Sequence, residues 1–469
     1  MNLPIEFEKA TKSLLDSSYE AFKSSLENLS PTSIRINQSK FNVLDTSLQQ
    51  IAWSKSGFYL DERPMFTADP LFHAGVYYVQ EASSMMIEQV ISYLFSDSKS
   101  YKVLDLCASP GGKTTHLIDL FSTSSLIVAN ETIKSRTSAL IENLTKWGTH
   151  NTIVTNNDSA DYTRLPSFFD FVLVDAPCSG EGMFRKQQDS IKHWSPDNVQ
   201  LCASRQKRII ANAWETLKPG GYLLYSTCTY NQQENEDVLS WLQQKESIRP
   251  ISLPDQYKYG VMTNENHGIQ TYRCYPHRMK GEGFTFSIIQ KPITETSSRN
   301  STKRLRSSLK INKTKDILPS ISRSFHDDIF QTEYGTYIFP NQYLGELSLI
   351  QENLRVLKWG VKYADLTSKK IIPNHEFVIS TCIDKDFYPV IDLEYEDVIQ
   401  FLRGEAITSP SLVLGWHMIQ FNGHILGLCK NIGNRLNNKY PKNLRILTTV
   451  DKLVSRRFSI HSFLTISNQ

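Results

Sequence analysis

The sequence predicts an α/β protein: a doubly wound parallel sheet preceded by a small α+β region and followed by a β-rich module. Short β-branched or apolar runs (YKVLDLC, SLIVAN, FDFVLVDAP and GYLLYSTC) alternate with helical patterns between Tyr101 and Cys228, as βαβ units do. A glycine pair, Gly111-Gly112, separates the first of these runs from the apolar stretch HLIDLF. The length of 469 residues corresponds to about three domains at roughly 150 residues each, so the sheet accounts for only part of the chain.

Residues 1–95 hold a short extended segment, Ser33 to Asn37, and the run GVYYVQEASSM leading into a helix. Residues 96–292 form the core. One of its helices is well marked: Ser195 is an N-cap, Pro196 takes the first helical position, and Ile210, Ala213, Trp214 and Leu217 make one apolar stripe before Lys218-Pro219-Gly220-Gly221 ends it. GEGFTFSIIQ (281–290) reads as the last strand of the sheet. Residues 293–316 are rich in Ser, Thr, Lys and Arg and poor in large apolar side chains, the composition of a flexible linker. Residues 317–389 read as a small mixed α/β domain and 390–469 as the β-rich module.

The 40% hydrophobic and 11% aromatic content is ample for packed cores and excludes wholesale disorder. No apolar run approaches the roughly 18 residues of a membrane span, and the N-terminus lacks the pattern of a secretion signal. The chain therefore reads as cytoplasmic, with no membrane partner. The net charge of +3 conceals an uneven distribution. Seven basic residues and no acid lie between Thr296 and Lys315, and five basic residues (Lys430, Arg435, Lys439, Lys442, Arg445) and no acid between Ala406 and Val450. Two basic stretches on a mildly acidic body fit a phosphate-backbone partner, with Lys430, Arg435, Lys439 and Lys442 as candidate contacts. The seven cysteines are dispersed without a CxxC pair, which favours neither a zinc site nor a disulfide framework; no metal is expected.

The glycine-bearing loop runs Cys107-Ala108-Ser109-Pro110-Gly111-Gly112-Lys113. Glycines between a strand and a helix let a ligand approach the backbone at the point where open α/β sheets bind ligands. A phosphate-binding P-loop needs a glycine five positions before Gly112, and Cys107 stands there instead. Glu131, after the second strand, is 20 residues beyond Gly111, where an acid takes a ribose diol. Asp158, after the third strand, is placed to accept an adenine amino group. A dinucleotide and S-adenosylmethionine both suit this pattern, and helix capping by Glu131 and Asp158 is the competing reading.

The strand FDFVLVDAP leads directly into Asp175 and Cys178, and YLLYSTC into Cys228. Both put a thiol at the carboxyl edge of the sheet. Carbon 5 of cytosine is too weak a nucleophile to attack a sulfonium methyl group, but addition of a thiolate at carbon 6 creates an enamine-like nucleophile. A second basic group must then remove the proton at carbon 5, and an acid near ring nitrogen 3 stabilises charge during addition. Two thiols and Asp175 fill these roles, and the residues alone do not say which thiol attacks.

The blocks YYVQEASSM, LDLCASPGGKTTHL, ANE, NND, VDAPCSGEGMFRK, YSTCTYNQQENEDVL and PHRMKGEGFTFSIIQK together resemble the bacterial RsmB/RsmF-type RNA cytosine-carbon-5 methyltransferases, especially the RsmF-type small-subunit rRNA enzymes. YEDVIQFLRGE and GWHMIQFNGHILGLCKNIGNRLNNKYPKNLRI resemble their PUA-like RNA-binding domain. The resemblance implies a Rossmann-like S-adenosylmethionine-dependent methyltransferase core, acting as a monomer on small-subunit rRNA or the ribosomal subunit. It implies that Cys107 to Lys113, Glu131, Asp158 and Asp175 hold S-adenosylmethionine, with Asp175 also beside the target base. Cys228 of the TCT block would be the nucleophile and Cys178 of the PCSG block would assist product release. Arg185 and Lys186 of the MFRK segment would contact RNA. Ser109 stands where many relatives carry alanine, and 317–389 matches little of the family text. A tRNA substrate, or a non-catalytic RNA-binding assembly factor, are the other readings; the two retained thiols with Asp175 count against the second.

Overall fold

The computed structural model describes the chain except residues 42, 96, 294–311, 314–317, 366–371, 408–412 and 467–469. Its central sheet contains five parallel strands: β1 (Lys102–Asp105), β2 (Leu126–Asn130), β3 (Thr152–Thr155), β4 (Phe169–Asp175) and β5 (Leu217–Thr227). With β6 (Ile269–Cys274), β7 (Phe284–Gln290) and β8 (Val356–Trp359), the order across the sheet is β6-β7-β5-β4-β1-β2-β3-β8, and Met262–Asn266 pairs outside β6. β7 and β8 run antiparallel to the strands they join. Four helices connect the core strands: α1 (Gly112–Leu120), α2 (Thr137–Trp147), α3 (Pro196–Thr216) and α4 (Glu236–Gln243).

The parallel strands are apolar on both faces. Val103, Ile127, Phe171 and Leu173 enter one hydrophobic cluster, while Leu104, Val128, Val172 and Val174 enter another on the opposite face. Alternation of side chains along a strand produces this partition, and helices covering both faces require it. Ser195 caps α3 as its sequence predicts, its Oγ accepting from Asn198 N at 3.1 Å, with Pro196 in the first turn. α3 ends at Thr216, and the Lys218 to Gly221 segment belongs to β5 rather than to a separate turn. Gly220 there has φ +80°, a conformation open to glycine at little cost, and the pairing of β4 with β5 shifts register nearby.

The N-terminal region forms an antiparallel sheet in which Thr32–Ile36 lies between Gly57–Leu60 and Tyr77–Tyr78. Arg35, fully buried in it, pairs with Asp119 at the end of α1, donates to Gln80 Oε1 at 2.8 Å and lies over the Trp147 ring. The C-terminal module sets the helix Tyr395–Arg403 against strands Gly415–Phe421, His424–Asn431 and Leu436–Asn438. Asn422 and Gly423, with φ of 49° and 76°, make the tight hairpin turn that an Asn-Gly pair favours. Tyr395, Phe401 and Ile419 of this module share one apolar cluster with Ile34, Leu71 and Val76, so it packs directly on the N-terminal region.

The segment expected to be an independent domain over 317–389 is divided. β8 extends the core sheet beyond β3, and Leu347 and Ile350 of the helix Leu344–Asn353 join the core's apolar cluster. Ile329–Thr332, Gly335–Ile338 and Val361–Asp365 belong to a separate antiparallel sheet. β3 would otherwise be an edge with unpaired backbone groups, and β8 covers it. The basic linker read over 293–316 falls almost wholly outside the described residues.

Replacing Ser195 by Ala removes the cap of the 21-residue α3 and is expected to cost about 1 kcal/mol. Urea unfolding should show a lower midpoint with an unchanged slope.

Candidate functional site

After β1 the chain builds β2 and β3 on one side, then returns to build β4 and β5 on the other. The loops that follow β1 and β4 therefore separate at a topological switch point, the position where open α/β sheets form a ligand crevice. Asp105 ends β1, opposite Leu173, and Asp175 ends β4, opposite Ser226 of β5.

The loop from Cys107 to Gly111 is fixed from outside. Ala108 N donates to Asn130 O at 2.8 Å, Ser109 Oγ to Arg136 O at 3.0 Å, and Asn143 Nδ2 to Pro110 O at 2.9 Å. Gly111 has φ +110°, and a Cβ on Gly112 would stand 2.9 Å from the Tyr78 ring. The backbone here is accessible because the second glycine carries no side chain. Asp105 is fully buried: its Oδ2 accepts from Thr114 Oγ1 at 2.6 Å, and its Oδ1 has no partner. Burial, with Asp175 adding to it and Thr114 and Lys113 opposing it, raises the Asp105 carboxyl to about 7. A buried acceptor without a donor fits a ligand that brings an ammonium or other N–H group.

Lys113, in the first turn of α1, donates to Asp175 Oδ2 at 2.8 Å, and Ser226 Oγ donates to Asp175 Oδ1 at 2.8 Å. Burial lowers the proton affinity of Lys113, but the charge and hydrogen bond of Asp175, then Asp105 and Cys228, outweigh it and hold the ammonium. Cys178 and Cys228 meet with sulfurs 3.0 Å apart, and Cys228 N points to Cys178 Sγ at 3.4 Å. Both thiols are free. The Cys178 thiol is pushed well above the usual range, first by its hydrogen bond to Cys228, then by burial and by the charges of Cys228 and Glu234. Burial also raises the thiols of Cys107, Cys202, Cys274, Cys382 and Cys429. Cys107 is therefore a backbone-loop residue with an inert thiol.

The remaining predicted residues divide. Glu131 is buried at the end of β2, where its Oε1 accepts from Ile133 N at 2.7 Å and its Oε2 lies 3.6 Å from Arg136. Asp158 accepts from Ala160 N at 3.0 Å, the contact that the capping reading expects, and its half-exposed carboxylate pairs with Arg208 at 2.5 and 3.1 Å. Arg185 corrects the RNA-contact reading. Its side chain is 6% exposed, pairs with buried Glu282 and donates to Gly281 O at 2.6 Å, so it binds the protein's own backbone and carboxylate. Lys186 beside it is exposed. Arg435, Lys439 and Lys442 are exposed on the C-terminal module, and Lys430 lies 5.3 Å from the centroid of the Trp416 ring. Asp105, Tyr78, Glu181 and Glu234 were not singled out from sequence; each is an ordinary letter whose role depends on burial.

Three family models match the chain: the N-terminal domain of 16S rRNA methyltransferase RsmF over residues 3–82, 16S rRNA methyltransferase RsmB/F over 93–290 and the methyltransferase RsmF PUA domain over 388–446. The chain is 30% identical over 463 residues to a ribosomal RNA small subunit methyltransferase F of Salmonella paratyphi A, covering 91% of this chain and 93% of that one. It is 30% identical over 456 residues, with the same coverage, to the protein of that name from Escherichia coli O139:H28. Among solved structures, a methyltransferase homologue from Pyrococcus horikoshii aligns with TM-score 0.52 and 29% identity, over 61% of this chain and 94% of that one. NSun6 from the same organism aligns with TM-score 0.51 at 18% identity, over 61% and 98% of the two chains, a likeness of fold.

Because folded Asp105 titrates near 7 and an unfolded aspartate near 4, the folded state binds the extra proton between these values. This contribution to stability falls as pH rises from about 4 to about 7. Asp105→Asn is expected to raise the thermal midpoint relative to the parent at pH 8 and to change it little at pH 5. An equal difference at both values would contradict the raised carboxyl.

Proposed function

We propose, from the premise that the chain belongs to the RsmB/F family of 16S rRNA methyltransferases, that it transfers a methyl group from S-adenosylmethionine to carbon 5 of a cytidine in small-subunit rRNA through a cysteine adduct. The observation that carries this reading is the pair of thiols 3.0 Å apart at the ligand edge of the sheet. Methylation of a nitrogen or a ribose oxygen requires no thiol, whereas methylation of cytosine carbon 5 has work for two.

Bound S-adenosylmethionine supplies a methyl group made electrophilic by a sulfonium. The loop Cys107 to Gly112 leaves backbone open to it, Glu131 stands where a ribose is held, and the unpartnered Oδ1 of Asp105 suits its ammonium. Lys113 and Asp175 face the reacting base. A target base must leave its stack to enter.

Cys228 is assigned as the nucleophile because the Cys178 thiol is pushed well above its usual range and keeps its proton, with its sulfur 3.0 Å from Cys228 Sγ. Cys228 Sγ adds to carbon 6, and the electron pair of the 5,6 double bond makes carbon 5 nucleophilic toward the methyl group. Once Cys228 Sγ is a neutral thioether, its hydrogen bond and charge, the first and third causes of the raised Cys178 thiol, are gone. Cys178 then releases its proton to solvent and accepts the one on carbon 5. The pair left on carbon 5 re-forms the double bond and expels Cys228 as thiolate.

Lys430, Arg435, Lys439 and Lys442 supply a cationic surface for RNA phosphates on the module matched by the PUA model, with Lys186 near the site. A tRNA substrate would suit the same core; the match of both terminal regions to RsmF models favours rRNA. Bisulfite mapping of rRNA from a strain lacking the gene tests the substrate: one cytidine that is methylated in the parent should be unmethylated, and an unchanged map contradicts the reading.

Cys228→Ala is expected to lower methyl transfer by more than about 10³-fold, measured with labelled methyl donor and 16S rRNA. Cys178→Ala should accumulate a covalent protein–RNA adduct visible on denaturing gels. Replacing Lys430, Arg435, Lys439 and Lys442 together by Ala should flatten the slope of log affinity against log salt by about 3. An unchanged slope would place the RNA elsewhere.

A further inference from the structure

The separation of the two thiols has an identifiable mechanical origin. Glu181 lies on the loop that carries Cys178, yet its Oε2 accepts from the backbone of the Cys228 loop, from Tyr230 N at 2.7 Å and Asn231 N at 3.0 Å. Glu234 lies on the Cys228 loop, just before α4, yet its carboxylate accepts from the Cys178 loop: Ser179 N at 3.0 Å and Ser179 Oγ in a short bond. Asn231 Nδ2 donates to one oxygen of each glutamate, at 2.9 Å in both cases. Trp194 Nε1 completes Glu181 at 3.1 Å, and Gln206 Nε2 completes Glu234 at 2.8 Å. We propose that Glu181 and Glu234, bridged by Asn231, form a reciprocal clasp of positioning residues that holds the Cys178 and Cys228 loops at their working distance and keeps the two sulfurs within hydrogen-bond reach of each other.

Two features separate this from ordinary packing. Both side chains are buried, at 2% and 0% exposure, and every hydrogen-bond partner is an uncharged N–H or O–H. Burying carboxylates without cations is expensive, and neutral amides would join two loops at lower cost. Burial, with Glu234 adding to it, raises the Glu181 carboxyl, so the charge that is part of the device is that of Glu234, which is among the groups that hold the proton on Cys178. The other charged or titratable groups around the pair are Lys113 from α1, Cys107 from the loop before α1, Asp175 from β4, Tyr225 from β5, and Cys202 and Arg205 from α3. The clasp also has little slack. Gly182 N donates to Cys228 O at 2.8 Å, and a Cβ on Gly182 would stand 2.6 Å from Gly283 Cα.

This inference rests on Cys228 being the nucleophile, so the experiment separates the two claims. Glu234→Gln and Glu181→Gln are made in the full chain, with folding checked by circular dichroism. Both are expected to lower kcat for 16S rRNA methylation by about 10- to 100-fold, with KM for RNA and methyl donor within about twofold. In a Cys228→Ser background, alkylation of Cys178 by iodoacetamide, followed by peptide mass, is read against pH. Glu234→Gln should move its midpoint downward by about one unit, and Glu181→Gln should leave it in place. A loss of kcat with no shift for Glu234→Gln makes the glutamate merely structural and overturns the proposal, as does an unchanged kcat. Should Glu234→Gln not fold, Asn231→Ala keeps both charges and removes their bridge. It should lower kcat about tenfold, and parental kcat in that variant overturns the clasp. An active Cys228→Ala enzyme would instead refute the nucleophile assignment, whatever the glutamate variants do.

Discussion

Two sulfur atoms held 3.0 Å apart impose the strictest geometric demand in the molecule, because the loops that carry them leave different strands. Parallel pairing of β4 with β5 meets most of it. Asp175 stands opposite Ser226, so each chain reaches its cysteine within a few residues of the same sheet edge. The apolar faces of β4 and β5, buried in two separate clusters, fix that register, since a one-residue slip would exchange the faces. Beyond the strand ends the backbone has no ladder to follow. Ala176 N to Ser226 O at 2.8 Å closes the ladder, and beyond it one backbone bond, Gly182 N to Cys228 O at 2.8 Å, and the side chains of the two loops hold them together.

Two N-terminal helices, Ile5–Leu15 and Tyr19–Ser25, are part of the same construction. Phe7 and Phe22 pack against Phe184, Trp194, Tyr230 and Tyr275, residues that follow the two cysteines or belong to the loop before β7. Tyr230 and Tyr275 stack at 4.8 Å beneath Phe22. This aromatic cluster packs on the outer side of the thiol loops, and low local polarity strengthens the hydrogen bonds buried beneath it. On the inner side, the Lys113–Asp175 ion pair stands beside the buried Asp105 carboxyl, which burial raises to about 7. The C-terminal module shares one core with the N-terminal sheet, and its Met418 and Leu428 share another with Ile329, Val361 and Phe377.

Much of this was legible in the sequence where the signal is local. The strand runs, the Ser195-Pro196 helix start and the two strand-end cysteines stand where pattern and capping placed them. Contacts between distant segments were not legible. Arg185 reads as a surface cation beside Lys186, and only its tertiary neighbour Glu282, 97 positions away, turns it inward. Asp158 reads as a free acceptor until Arg208 from α3 closes on it. Glu181 and Glu234 look like solvated acids in a polar loop, and their burial follows from the strand register, which no short window encodes. The segment 317–389 misled for a related reason: β8 finds its partner 200 positions earlier in the chain, at β3.

Methyl transfer by this route requires Cys228 to form the bond to the target base. The most direct measurement offers the enzyme and S-adenosylmethionine a 16S rRNA transcript in which cytidine is replaced by 5-fluorocytidine. Fluorine at carbon 5 cannot leave as a proton does, so the thiol adduct persists after methylation. Digestion and peptide mass should find the nucleotide on Cys228. A nucleotide on Cys178, or a methylated transcript with no adduct, would contradict the account.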